Sequence, residues 1–317
     1  MFEAVVFTLL GLLLLALGGD SLVKGAAGLA QALRVPRFTI GLGLVAVATS
    51  LPELAVNARA VAAGDRALAL GNAVGSNIAN IGLTLGLAAL AAPLVMRWRA
   101  LSPLLLVLLL ATLAVALLSL DGGLSRIEGL VLLLAFVAVV AFAAMRAGDE
   151  SPEVRDEVDA FISTRGGPGQ NLLRVGVAVV LLWLGAGWIV SHVPVIGHAF
   201  GMDSLVAGLL LVAIATALPE AAAAVAGARR GQGDIVAGHV IGSSVFNLLP
   251  VLGGMAALGG TVPVPASFVR LELPVAFLFA LLLVPLLRGN STLSRGEGGL
   301  LLAAFAAWVV LEIALVG

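Results

Sequence analysis

The chain has 317 residues, of which 61% are hydrophobic and 11% charged, with a formal net charge of -1 and a mean hydropathy of +1.16. Soluble domains carry about 25% charged residues, so this composition excludes an ordinary soluble protein and indicates a polytopic membrane protein. Cysteine is absent, which excludes disulfide and thiolate chemistry, and no basic patch suggests a nucleic-acid partner.

A hydrocarbon core of about 30 Å needs roughly 20 apolar residues per helix. Such runs fall near residues 3–19, 38–63, 67–93, 101–119 and 127–145. The first follows Met1, Phe2 and Glu3 without a positive leader, so it reads as a membrane helix rather than a signal peptide. A polar interval over 147–170 holds Asp149, Glu150, Glu153, Asp156, Glu157 and Asp159 and reads as a solvated linker, with a regulatory cation patch as the alternative. Five more runs follow near 172–191, 204–228, 234–259, 269–287 and 299–316. His192 and His198 are expected in an outer loop, Asp20 at the membrane interface, and Glu312 snorkelling or pairing locally.

Ten helices result, five in residues 1–146 and five in 171–317. With both termini outside, the cytoplasmic loops hold 13 of the 17 Lys and Arg residues, and the outer side holds Arg59, Arg66, Arg126 and Arg270. That asymmetry favours an N-out, C-out topology. An odd helix number per half makes the second half enter from the opposite side. The expected fold is therefore an all-α polytopic membrane protein built from two inverted five-helix repeats, an arrangement common in secondary transporters.

The halves also repeat in sequence. Residues 41–80 align with 208–247 without a gap, with 16 identities in 40 positions, among them Thr49/Thr216, Pro52/Pro219, Glu53/Glu220, Gly71/Gly238, Gly75/Gly242, Ser76/Ser243 and Asn80/Asn247. Low-frequency residues rarely coincide in register, so this is an internal duplication. The register reaches back to LALGGDSLV at Leu15 to Val23, which falls on LWLGAGWIV at Leu182 to Val190.

On a helix, residues four apart share a face. Thr49, Glu53 and Asn57 form one stripe, Thr216, Glu220 and Ala224 its counterpart; Asn72, Ser76 and Asn80 form another, matched by His239, Ser243 and Asn247. Pro52 and Pro219 fall within their spans, where proline frees the carbonyl four residues earlier, here Ala48 and Ala215. The pairs Gly71 with Gly75 and Gly238 with Gly242 have the small-xxx-small spacing of close helix approach. A carboxylate at the bilayer centre costs about 2.5 to 3.5 kcal/mol, and no Lys or Arg stands near either glutamate on these helices. The pattern points to a divalent cation site: Ca²⁺ takes 6 to 8 oxygens, available from the two carboxylates, backbone oxygen near Thr49 and Thr216, and water or the amides of Asn80 and Asn247. A protonated, hydrogen-bonded glutamate pair is the alternative. Hard oxygen donors without cysteine argue against zinc or copper.

The duplicated SLPE and GSN strings resemble the cation/calcium exchanger superfamily, in particular a prokaryotic-type sodium/calcium exchanger. That resemblance implies two α-repeats, 41–80 and 208–247, forming an alternating-access site with Glu53 and Glu220 as central Ca²⁺ ligands. It further implies Na⁺ ligands at Ala46, Thr49, Ser76, Ala213, Thr216, Ser243 and Ser244, with Ser50 and Asn77 lining the first copy. The implied activity is Ca²⁺/Na⁺ antiport in the lipid bilayer of a prokaryotic inner membrane, with transported ions and no cofactor. Many sodium-coupled members have an aspartate where this chain keeps asparagine in both copies, Asn80 and Asn247, and Ala217 replaces the hydroxyl of Ser50. Two carboxylates balance one Ca²⁺, two Na⁺ or two protons, so Ca²⁺/H⁺ exchange stands beside Ca²⁺/Na⁺ exchange, and His239 in the place of Asn72 is a candidate proton-sensitive group. An intramembrane hydrolase with a carboxylate dyad and a passive cation channel are readings from other classes. No P-loop pattern is present, which argues against a primary pump.

Overall fold

The computed structural model describes residues 1–32, 50–146, 166–288 and 292–316. Most of them are helical, and eight stretches among them are long and apolar enough to cross a membrane. Two of those eight are the buried centre: 83% of the most apolar 18-residue stretch of Arg66–Ala91 and 78% of that of Gly233–Gly259 are inside the protein, against 28% to 50% for the other six. A helix that is apolar on all sides and buried is surrounded by other helices. The centre therefore consists of two spans that occupy equivalent places in the two halves.

The first half opens with α1 (Phe2–Ala32), then α2 (Leu51–Ala62), α3 (Arg66–Ala79), a π-helical turn π1 (Asn80–Leu85) and α4 (Gly86–Ala91). It continues through the short strand β1 (Leu94–Val95), α5 (Trp98–Leu118), strand β2 (Gly123–Leu124) and α6 (Arg126–Arg146). The second half begins with α7 (Pro168–Ala199), α8 (Ser204–Val206), π2 (Ala207–Val212), α9 (Ala213–Arg229), α10 (Gly233–Phe246), π3 (Asn247–Val251) and α11 (Leu252–Gly259). Strand β3 (Val262–Pro263), α12 (Ala266–Arg270), α13 (Glu272–Arg288), strand β4 (Thr292–Leu293) and α14 (Arg295–Val316) complete it.

The duplication is visible in backbone detail. Asn80 opens π1 and Asn247 opens π3, so both halves switch from α to π winding at the same register. The chain reverses after α2 at Gly64 (φ 84°) and after α9 at Gly231 (φ 75°), a left-handed conformation that glycine adopts without a Cβ penalty. β1 pairs antiparallel with β4, Val95 opposite Thr292, and β2 with β3, Leu124 opposite Val262. Each two-residue ladder ties a segment of one half to a segment of the other.

Helix ends depart from the hydropathy runs because packing, not apolarity, decides where they stop. α1 and α7 have 31 and 32 residues, about 46 to 48 Å at 1.5 Å per residue, and they lie against each other. A Cβ on Gly185 would stand 2.7 Å from the Gly11 carbonyl oxygen, and one on Gly18 2.9 Å from the Leu182 side chain. The expected loop around His192 and His198 is instead the last turns of α7, held by the buried row Ile189, Val193 and Gly197. His192 Nδ1 lies 2.8 Å from the Trp188 carbonyl oxygen, and its ring stacks on Phe7 at 4.9 Å. The start of α7 at Pro168 also takes in the end of the expected 147–170 linker, whose acidic residues lie outside the described residues.

The prolines behave differently in the two halves. Pro52 stands in the first turn of α2, where its missing N–H removes no helical bond, and Ala48 lies outside the described residues. Pro219 lies inside α9, which stays helical from Ala213 to Arg229, and the irregular backbone falls earlier, in π2. Of the expected close glycine contacts, α3 provides its pair: a Cβ on Gly71 would fall on the Leu205 carbonyl oxygen and one on Gly75 on that of Leu209. Gly238 meets only the Leu101 side chain, at an ordinary 3.6 Å, so the second copy has no such approach at that position.

Two polar contacts fasten the periphery. Arg97 donates from its backbone N and its Nε to the two carboxylate oxygens of Asp234, both at 2.6 Å, beside the point where Gly233 meets the Val95 carbonyl. Asp20 is exposed and pairs with Lys24 at 2.7 Å. Glu312 is buried at 3% exposure and pairs locally: Trp308 Nε1 donates to its Oε1 at 2.9 Å. Trp308→Phe keeps an aromatic ring, though a smaller one, and removes the donor, so it should lower stability by about 1 to 3 kcal/mol, read as a reduced melting temperature. Trp308→Phe combined with Glu312→Leu should recover most of that loss, because removing both partners leaves no orphan.

Candidate cation site

The two duplicated hairpins, α2–α3–π1 and α9–α10–π3, meet at the centre and bring their polar residues together. Glu53 is 1% exposed and Glu220 6%, and the carboxylates are close enough for their charges to interact. Ser50, Ser76, Asn80, Ser243, Ser244 and Asn247 are fully buried, with Asn77 and Thr216 nearly so. Ala213, whose expected contribution is a backbone oxygen, is buried at the start of α9. Ala46 and Thr49 lie outside the described residues.

One serine joins the halves. Ser50 Oγ donates to Ser243 Oγ at 2.8 Å, Asn80 Nδ2 donates to the same oxygen at 3.2 Å, and Ser243 Oγ donates to Glu220 Oε1 at 3.4 Å. A hydroxyl has one proton and two lone pairs, so Ser243 uses its full capacity. Two of its partners come from the first half and one from the second. The remaining hydroxyls direct their protons away: Thr216 Oγ1 donates to the carbonyl oxygens of Val212 and Ala213 at 3.1 and 3.3 Å, and Ser244 Oγ to that of Val240 at 2.9 Å. Their lone pairs are left for other donors or for a cation.

Other oxygens here have no partner. Among the described residues, both carboxylate oxygens of Glu53, Oε2 of Glu220, and the amide oxygens of Asn77, Asn80 and Asn247 are buried without a hydrogen bond of normal geometry, although the Thr216 hydroxyl stands close enough to Glu53 to interact with it. Buried polar atoms are nearly always satisfied, and a buried carboxylate without a counter-charge is costly. Six acceptor oxygens on five neighbouring side chains match the hard-oxygen demand of Ca²⁺ or Na⁺. The residues fit a cation.

Sequence reasoning located this set because it was duplicated, and missed residues that are not. Asn57 and Asn72 were visible only as members of stripes; they are hydrogen-bonded to each other at 3.1 Å, Asn72 Nδ2 donating to Asn57 Oδ1. Glu272 opens α13, is 8% exposed and has an unpartnered Oε2, and a charge in the first turn of a predicted span gave no signal of burial. His239 has a buried, unpartnered Nδ1 and makes no hydrogen bond to Ser243 among the described residues.

The Sodium/calcium exchanger protein family is matched by residues 3–145 and again by 171–314. The chain belongs to that family. Among its relatives, the inner membrane protein YrbG of Escherichia coli K12 is 35% identical over 98% of this chain and 97% of its own length. The sodium/calcium exchanger MaX1 of Methanosarcina acetivorans is 29% identical, over 95% and 96%. Among solved structures, the sodium-calcium exchanger NCX_Mj, soaked with Na⁺ and Sr²⁺, superimposes with a TM-score of 0.67 at 30% identity, covering 98% of both chains. This exchanger is an integral membrane protein of the prokaryotic, inner-membrane type, and its family match in two separate segments coincides with its two halves. Its chemistry is cation exchange, with Ca²⁺ among the cations.

Proposed function

We propose that this exchanger moves Ca²⁺ against Na⁺ by alternating access, with both ions using Glu53 and Glu220 in turn. The observation that carries this reading is the group of unpartnered buried oxygens on the two duplicated hairpins. Around them, Ser76, Thr216, Ser243, Ser244, Asn80, Asn247, Asn77, Ser50 and the backbone at Ala213 supply further oxygen, with Ala46 and Thr49 in the equivalent places of the first copy. Two carboxylates that serve either ion make simultaneous occupancy unfavourable, which couples the opposing fluxes.

The architecture that suits this cycle is ten helices in two inverted repeats, residues 1–146 and 171–317, with both termini outside. The reciprocal ladders β1–β4 and β2–β3 support it, as do π1 and π3 opening at matched asparagines. A hydrolase needs one asymmetric catalytic face and gains nothing from two nearly equivalent carboxylates; the relatives are transporters. No cofactor is required beyond the transported ions.

Proton coupling is the second reading, favoured by the amides at both Asn80 and Asn247, which leave two carboxylates in the duplicated site, and by His239. Reconstituted in liposomes, the exchanger should take up Ca²⁺ when Na⁺ is loaded inside and diluted outside. A pH gradient of equal driving force should give at least about 10-fold less uptake, the outcome if Na⁺ carries the coupling energy of 1.4 kcal/mol per decade. Uptake driven by the pH gradient alone would replace Na⁺ by H⁺; uptake needing neither would indicate a channel. Charge movement recorded in the same vesicles separates electroneutral from three-for-one exchange.

A further inference from the structure

Ser76 and Ser243 occupy equivalent positions, yet their hydroxyls are used in opposite ways. Ser243 is saturated by Ser50, Asn80 and Glu220. Ser76 Oγ makes one bond among the described residues, donating to Asn72 Oδ1 at 3.3 Å. Asn72 is in turn fixed by Asn57, whose Oδ1 accepts from Asn72 Nδ2 at 3.1 Å. All three side chains are at most 1% exposed, so water does not compete for these bonds.

The direction of the chain follows from the inventory of donors. An asparagine offers two N–H donors on one side of its amide and an acceptor on the other. With Asn72 Nδ2 engaged by the Asn57 oxygen, Oδ1 is turned toward Ser76, and the hydroxyl proton must point at it. A cation is coordinated by oxygen lone pairs and repelled by an O–H dipole facing it. Directing the hydroxyl proton at Asn72 Oδ1 therefore leaves both lone pairs of Ser76 without a donor among the described residues and excludes the rotamer that would oppose an ion. The second half has no such device, because Asn57 is matched by Ala224 and Asn72 by His239.

We propose that Asn72, held by Asn57, is a positioning residue of the first half: it receives the Ser76 hydroxyl proton and so commits Ser76 Oγ to cation coordination. Asn72 touches no ion itself. The inference rests on the cation-site reading above. Outer partners that orient a ligand typically contribute 10- to 100-fold in metal affinity, which sets the expected effect.

The test is a double-mutant cycle on full-length protein in liposomes, measuring half-saturation for Ca²⁺ and for Na⁺ in exchange. Asn72→Leu, close in size but unable to accept a proton, should raise the half-saturating concentration of at least one ion about 10-fold, and Ser76→Ala should do the same. Asn57→Leu should give a smaller change of the same sign. In the Ser76→Ala background, Asn72→Leu should add less than about 2-fold, because its effect passes through the hydroxyl. Monodisperse elution and an unchanged melting temperature exclude simple misfolding; for a variant that fails them, Asn72→Ala, which also lacks the acceptor, replaces it and should raise the half-saturating concentration in the same way.

Equal effects of Asn72→Leu with and without Ser76 would overturn the proposal while leaving the cation site intact. An unchanged Ser76→Ala protein would overturn it as well, together with the assignment of Ser76. Full transport by Glu53→Gln, measured alongside, would instead strike the cation-site reading itself.

Discussion

Glu53→Gln and Glu220→Gln should each reduce Ca²⁺ transport by on the order of 100-fold or more while the protein folds normally. Truncating one partner of a buried charged interaction costs about 3 to 5 kcal/mol, and 1.4 kcal/mol is one decade. Glutamine is isosteric with glutamate and retains one oxygen, so the loss would be of charge rather than of shape. Among the described residues Glu53 has only the nearby Thr216 hydroxyl as a side-chain donor, and Glu220 only the bond from Ser243. Removing a charge from the membrane interior relieves an insertion cost of about 2.5 to 3.5 kcal/mol, so the ion-free variants should be at least as stable as the parent. Ligand binding stabilises only a protein that binds. Ca²⁺ should therefore raise the melting temperature of the parent and leave that of both variants unchanged. Normal transport by either variant, or a preserved Ca²⁺ shift, would remove that glutamate from the site.

The reason this site was legible is that it was written twice. Glu53 and Glu220, with Ser76, Ser243, Asn80 and Asn247, could be separated from an apolar background because each recurred at the same offset, and they are buried together at the centre. Single-copy features carried no such signal. Glu272 has no counterpart in a duplicated stripe, and the bond between Asn57 and Asn72 joins two helices whose mutual rotation no stripe defines. The π turns were illegible for a related reason: their register shift depends on how α3 and α10 fit their neighbours, not on the propensity of Asn80 or Asn247. Hydropathy marked the apolar runs, eight of which are membrane-length helices among the described residues, but not the helix ends, since α7 extends through His192 on contacts with α1 that exist only after folding. A proline inside a span marks where a helix is permitted to begin or bend, and Pro52 begins one while Pro219 is carried through α9.

The largest structural effect should come from the glycines that press α3 against the segment leading into α9. A Cβ on Gly75 would fall on the carbonyl oxygen of Leu209, and one on Gly71 on that of Leu205; reciprocally, a Cβ on Gly208 would fall on the Leu68 carbonyl. These obstacles are backbone, which cannot rotate aside as a side chain can. Overpacking against movable neighbours already costs about 1 to 3 kcal/mol, and here relief requires two helices to separate. Gly75 precedes Ser76 and Asn77, so separation would also displace these two site residues. Gly75→Leu should fail to yield monodisperse protein, and Gly75→Ala should lower stability by about 3 kcal/mol, at the top of that range, and impair transport. Gly254→Ala is the control: a Cβ there meets nothing within 4 Å, and removing a helical glycine should stabilise by about 0.5 to 1 kcal/mol. Melting temperatures and Ca²⁺ uptake of the three purified variants decide the matter. A Gly75→Ala protein as stable and active as Gly254→Ala would mean that α3 does not depend on this backbone approach.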